Sequence, residues 1–152
     1  MDWDTYFMRM AALVATKSKD RSTKVGVVLV APDRSVIGTG YNGFPRGVDD
    51  NVEERHQRPK KYAFTSHAEM NVITNCARNG VKTMGSTIYI ASYPDVIPTC
   101  SDCARAMIQA GIKEIVCKLA DVPERWKDSC DAASEMLKEA GVTVRYWQEG
   151  SK

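Results

Sequence analysis

Apolar residues recur at Trp3, Tyr6, Phe7, Met10, Leu13 and Val14, the spacing of one helical face, which predicts an amphipathic helix over residues 2 to about 18. The polar run Ser18–Thr23 breaks the pattern. An unbroken apolar stretch, Val25–Ala31, then reads as a buried strand closed by Pro32 and Asp33. Ser35–Tyr41 returns as a second strand after so short a connection that the two form an antiparallel hairpin. Residues 42–66 sustain no period, and a loop of that length inside a domain is usually functional. Helical spacing resumes over His67–Asn79, with Met70, Ile73 and Ala77 inward and Gly80 as the stop.

Beyond it, Thr87–Ala91 reads as a strand, residues 101–110 as a helix ended by Gly111, and Ile112–Cys117 as a further strand. A last helix begins at Pro123, with Trp126, Cys130, Ala133, Leu137 and Ala140 in one stripe, and leads to a strand over Val142–Trp147. Right-handed helical crossovers make the last three strands parallel. The expectation is an α/β fold: a three-layer α/β/α sandwich on a five-stranded mixed sheet, antiparallel in its first hairpin and parallel in its second half. One domain over 1–152 accounts for the whole chain.

Charge narrows the classes of partner. With 21 Lys+Arg against 19 Asp+Glu the net charge is +2, too small for a groove that tracks phosphates, so nucleic acid is not an expected partner. Asp2 and Asp4 stand where a secretory signal carries positive charge, and the apolar stretches are too short to span a bilayer, which predicts a cytoplasmic protein without membrane contact. Five cysteines, an odd number, then point to reduced thiols or metal ligands rather than a disulfide framework.

Cys100-Ser-Asp-Cys103 opens a predicted helix, so both sulfurs lie on the face of its first turn, where free N–H groups favour thiolates. Alone, such a pair serves a zinc site or a redox dithiol equally well. His67 decides between them. It opens the preceding helix and is one of only two histidines; the other is His56. One imidazole and two thiolates leave the fourth tetrahedral position of a zinc ion to water, the arrangement of a catalytic site. Cys76, Cys117 and Cys130 fall at apolar spacing and read as core thiols. Glu69, two residues after His67, is poorly placed as a further ligand but well placed to handle a proton of that water. A His-x-Glu with a later Cys-x-x-Cys is the signature of zinc nucleobase deaminases.

The chain resembles the deoxycytidylate (dCMP) deaminases of the cytidine deaminase superfamily in Trp3-Asp-Thr-Tyr-Phe-Met and Ser18-Lys-Asp-Arg-Ser-Thr-Lys-Val-Gly. The likeness continues in Gly38-Thr-Gly-Tyr-Asn-Gly-Phe-Pro-Arg-Gly, His67-Ala-Glu-Met-Asn and Cys100-Ser-Asp-Cys-Ala-Arg, and covers nearly the whole sequence. It implies a cytidine deaminase-like fold and conversion of dCMP to dUMP and ammonia, feeding thymidylate synthesis. It implies His67, Cys100 and Cys103 as ligands of one catalytic Zn2+ per subunit, with Glu69 as proton shuttle. Asn42 and Ala68 become substrate-binding candidates; for the substrate phosphate, which needs cations, Arg21, Lys24 and Arg46 stand in the two loops that flank the predicted strand ends. It further implies a homohexamer activated by dCTP with Mg2+ and inhibited by dTTP, at an effector site over Tyr41, Asn42, Gly43, Phe44, Arg46 and Gly47.

Two departures from the family pattern bear on the pocket. Thr99 separates Pro98 from Cys100, and Tyr93–Pro98 is longer than usual, which shifts the expected change to the pocket wall and to the choice among dCMP, dCTP and related nucleotides. Deamination of an RNA or single-stranded DNA base shares the metal site and would need basic and aromatic tracks. A non-catalytic nucleotide sensor has no use for Glu69. A thiol oxidoreductase leaves His67 and Glu69 unexplained.

Overall fold

The computed structural model describes residues 1–150; the last two residues of the predicted 1–152 domain lie outside the described residues. The chain runs α1 (Trp3–Ala15), β1 (Lys24–Val30), β2 (Val36–Tyr41), α2 (Lys60–Phe64), α3 (Ala68–Asn79), β3 (Thr87–Tyr93), α4 (Ser101–Gln109), β4 (Glu114–Cys117), α5 (Lys127–Glu139) and β5 (Thr143–Tyr146). The strands form one sheet in the order β2-β1-β3-β4-β5. β1 is antiparallel to β2 and to β3, whereas β3, β4 and β5 run parallel, which is the predicted mixed sheet.

The continuous apolar run of β1 is explained by burial on both faces, since successive side chains point to opposite sides. Val28 and Val30 meet Phe7, Met8 and Ala11 of α1, together with Tyr89, Val116 and Trp147. Val27 and Leu29 join the other core, where Val72 and Cys76 of α3, Met107 of α4, and Ala133 and Leu137 of α5 cover the sheet. α1 thus forms one outer layer and α3, α4 and α5 the other.

Two helices present a different face from the one their spacing predicts. In α1, Phe7, Met8, Ala11 and Ala15 are buried while Trp3, Tyr6 and Leu13 are exposed. Gly26 is the reason: a Cβ there would stand 2.2 Å from the Ala11 carbonyl oxygen, so the small side chains of α1 must face β1. In α3 the buried stripe is Ala68, Val72 and Cys76, and Met70 and Ala77 lie outside it. Ala140 is likewise exposed, because α5 ends at Glu139 and the chain turns through Gly141 at φ 76°. The expected loop over 42–66 contains a short 3-10 turn, Glu53–His56, and α2; each is too brief to display a period.

A polar cluster ties α1 to the far strands. Arg145 of β5 donates to both carboxylate oxygens of Asp4, at 2.6 and 3.0 Å, and to Glu114 at 3.1 Å, while the Tyr89 hydroxyl donates to Asp4 at 2.8 Å. Among the described residues no helix is long and apolar enough to cross a membrane.

Candidate metal centre and adjoining cavities

The three expected ligands come from two helix starts. His67 is the N-cap of α3, Cys100 the N-cap of α4, and Cys103 lies in the first turn of α4. His67 Nδ1 is 3.3 Å from Cys103 Sγ and 3.7 Å from Cys100 Sγ, and all three donor atoms lie within 4.8 Å of one another. Zn–S bonds of about 2.3 Å and Zn–N bonds of about 2.0 Å in a tetrahedron put N and S about 3.5 Å apart, so this set fits zinc. Among the described residues it is the one His/Cys/Asp/Glu group gathered closely enough for a metal ion.

The charge state of the centre follows from its neighbours. Hydrogen bonding from Cys103, and then from His67, holds the Cys100 thiol well below its ordinary range, while the Cys100 thiolate and burial push the Cys103 thiol up. His67 is raised, first by its hydrogen bond with Cys100. A metal cation held by this set would bind both sulfurs as thiolates and displace their protons.

Glu69 sits in the first turn of α3, only 9% exposed, with Oε2 accepting from Cys103 Sγ at 3.4 Å. Burial pushes its carboxyl above the ordinary range. It stands beside the donor set without belonging to it. The other cysteines have no part in this. Cys76 and Cys130 are buried, Cys117 half-buried, and burial raises all three, Cys117 to about 11.

This centre forms the floor of a cavity of about 630 Å3 that Asn42, Ala68 and Glu69 also line. Pro94–Pro98 of the longer loop wall one side, where the Ile97 N–H donates to Ser92 Oγ at 3.0 Å. Asn42 is 7% exposed, and both ends of its amide are engaged: Oδ1 accepts from the Val25 N–H and Nδ2 donates to the Thr23 carbonyl, each at 2.9 Å. It staples the start of β1, and one amide hydrogen and one lone pair remain for a ligand.

Neither Lys24 nor Arg21 lines this cavity, contrary to their reading as phosphate ligands. Arg21 forks onto Glu53 at 2.6 and 2.9 Å on the surface, and the Lys24 ammonium is tied to the Ser18 carbonyl. The cations that do line it are Arg58, Lys61 and Arg125. Among the described residues Arg58 and Arg125 have no carboxylate within ion-pair distance; Arg58 lies over the Tyr62 ring at 5.7 Å. Sequence reasoning missed them because Arg58 stands in a turn and Arg125 in a three-residue 3-10 helix, neither long enough to show a period, and the one signal was the cation-aromatic run Arg58–Tyr62.

A second cavity of about 240 Å3 opens beside the first. All six expected effector residues, Tyr41, Asn42, Gly43, Phe44, Arg46 and Gly47, line it. Lys17, Lys19 and His56 join them. His56 stacks on Phe44 at 4.9 Å and its Nε2 lies 2.6 Å from the Asp50 carbonyl oxygen, and it belongs to no metal-spaced His/Cys/Asp/Glu group among the described residues. Lys19 pairs with Asp50 at 2.8 Å, leaving Lys17 and Arg46 without a carboxylate among the described residues.

Residues 1–119 match the family described as the cytidine and deoxycytidylate deaminase zinc-binding region. The chain is 36% identical over 152 residues to the deoxycytidylate deaminase of Homo sapiens, an alignment covering 95% of this chain and 79% of that protein. A crystal structure of dCMP deaminase from the cyanophage S-TIM5, in complex with dCMP and dUMP, aligns with a TM-score of 0.73 at 25% identity, over 94% of this chain and 95% of that one. The cytidine deaminase of Mycobacterium leprae shares the fold at a TM-score of 0.50 and 18% identity, over 74% of this chain and 83% of that one.

Proposed function

Because the chain belongs to the cytidine and deoxycytidylate deaminase family, we propose that it is a zinc-dependent hydrolase that converts dCMP and water to dUMP and ammonia. The observation that carries this reading is the burial of Glu69 against a three-donor set in a cavity roomy enough for a nucleotide. Zinc held by His67, Cys100 and Cys103 supplies Lewis acidity that brings the pKa of a water toward neutrality.

Glu69 takes one proton as the water oxygen adds to C4 of the cytosine ring and delivers it to the nitrogen side. With that first proton on ring N3, Glu69 carries the remaining proton of the added hydroxyl to the exocyclic nitrogen, the C–N bond breaks as the C4 carbonyl forms, and ammonia leaves. The same carboxylate serves both transfers, which is why it must stand beside the ligands without being one. Asn42 and Ala68 shape the sugar and base pocket. Arg58 and Arg125, uncommitted to carboxylates, take the 5′-phosphate in place of Arg21 and Lys24. The name of the human relative and the dCMP and dUMP of the phage complex support this substrate.

The second cavity takes a nucleoside triphosphate with Mg2+, dCTP as activator and dTTP as inhibitor. Its unpaired Lys17 and Arg46 offer charge for phosphates, and the Phe44–His56 stack offers a flat surface for a base. Residues 1–152 form one deaminase domain, the subunits assemble as a cytoplasmic homohexamer, and the product supplies thymidylate synthesis.

Ammonia release from dCMP, dCTP, deoxycytidine and cytidine by the zinc-loaded protein, with and without dCTP or dTTP, tests the reading. Turnover confined to dCMP, raised by dCTP and lowered by dTTP, is expected. Turnover of the nucleosides alone, or of cytosine in single-stranded DNA, contradicts it.

A further inference from the structure

Asp20 and Lys61 stand in the wall that the two cavities share, and both line each of them. Lys61 Nζ lies 3.0 Å from Asp20 Oδ1, with the side chains 13% and 6% exposed, which makes this the most buried ion pair among the described residues. Lys61 Nζ also donates to Ser22 Oγ at 3.2 Å. Asp20 Oδ1 accepts further from the N–H groups of Ser22, at 2.8 Å, and Thr23, at 3.1 Å. Burial opposes the charge of Asp20, yet these donors outweigh it and hold its carboxyl below the usual range. Thr23 in turn accepts from Asn42 Nδ2 at 2.9 Å.

A continuous chain therefore runs from the second cavity to the substrate wall: Lys61, Asp20, the Ser22–Thr23 turn, Asn42. A buried ion pair contributes little net stability but strongly penalises loss of one partner, so its effect is to hold one arrangement. Thr65, the extended C-cap of α2, lines both cavities as well, and its hydroxyl is buried without a hydrogen-bond partner.

We propose that Lys61 and Asp20 are positioning residues for the deamination, fixing the Ser22–Thr23 wall of the substrate cavity, and that Lys61 links that wall to the second cavity. An anion bound among Lys17 and Arg46 competes with Asp20 for the Lys61 ammonium and alters how firmly the turn is held. Substrate affinity and effector affinity then change each other by the same factor. This link rests on the reading of the second cavity as an effector site; the positioning role does not.

Lys61→Met, which keeps length and removes charge, tests both parts in the zinc-loaded protein. The expected result is one zinc per chain and an intact circular dichroism spectrum, a KM for dCMP raised about tenfold, kcat within about twofold, and loss of the dCTP effect on KM. Lys61→Arg restores KM. An unchanged KM in Lys61→Met overturns the positioning role. A raised KM with a wild-type response to dCTP overturns the link. If calorimetry shows that wild-type protein binds no dCTP while Lys61→Met still raises KM, the effector reading and the link fall and positioning stands. Should Lys61→Met not fold, Asp20→Asn, which keeps an oxygen for the two N–H groups, carries the same readouts, with unchanged KM overturning the role.

Discussion

Gly40 of β2 approaches Ala68 of α3 so closely that a Cβ on the glycine would stand 2.6 Å from the Ala68 carbonyl oxygen. That missing side chain is what seats the first turn of α3 on the sheet, and the first turn carries His67 and Glu69 to the sulfurs of α4. Gly40→Ala must push the helix off its seat. A loss of about 1–3 kcal/mol is expected from overpacking, together with weaker zinc retention. Thermal denaturation and metal analysis check it; a variant unchanged in both would mean that α3 is positioned by other contacts.

Removing the metal should be reversible and felt in the fold. A ligand that binds only the native state, held at a thousand times its Kd, stabilises that state by about 4 kcal/mol. A chelator is therefore expected to abolish turnover and lower Tm, and added Zn2+ to restore both. Thiol titration supplies the residue-level check. Cys100 and Cys103 should become reactive only after chelation, whereas the raised pKa values of Cys76, Cys117 and Cys130 keep them slow in either state.

The fold contains a pH-dependent fastening in Asp4. Hydrogen bonds from Arg145, and secondarily from Tyr89, lower the carboxyl below its usual 3.8, so the folded pKa lies under the unfolded one. Its contribution is complete above the unfolded value and is lost as pH falls through the folded value. Arg145→Met should therefore lie below wild type in Tm at neutral pH, and the gap should close as the solution is acidified past 3.8. A gap that keeps its size as the pH falls well below that value would show that Arg145 stabilises by its stem and not by its charge.

The strands and the metal site were legible because each rests on a local signal. β1 declares itself by an unbroken apolar run, and Cys100, Cys103 and His67 by helix starts that no packing need explains. Helix orientation was less legible. The faces of α1 and α3 are chosen by Gly26, Gly38 and Gly40 on strands distant in sequence; spacing alone favours Trp3 and Tyr6 of α1 and Met70 of α3 as inward residues, all of which the structure exposes. A glycine's influence on a partner helix leaves no mark in that helix.

The cavity cations illustrate a second limit. Arg21 and Lys24 stand next to a strand end, but Glu53 and the Ser18 carbonyl capture them. Lys61 reaches the cavity from a one-turn helix, Arg58 from the turn before it and Arg125 from a 3-10 turn, Glu124–Trp126, each too short to show a period that would place a side chain. Tyr41, Asn42, Gly43, Phe44, Arg46 and Gly47 line one cavity together because they follow one another where β2 ends.

The central claim is that Glu69 moves the proton while His67, Cys100 and Cys103 hold the metal. Its most direct test is single-turnover conversion of dCMP to dUMP by Glu69→Gln, loaded with zinc and compared with wild type at matched metal content. The account predicts one zinc per chain in both proteins and a rate reduced by about 10²–10⁴-fold or more in the variant. A variant that holds its zinc and deaminates dCMP at the wild-type rate would remove Glu69 from the chemistry and contradict the account.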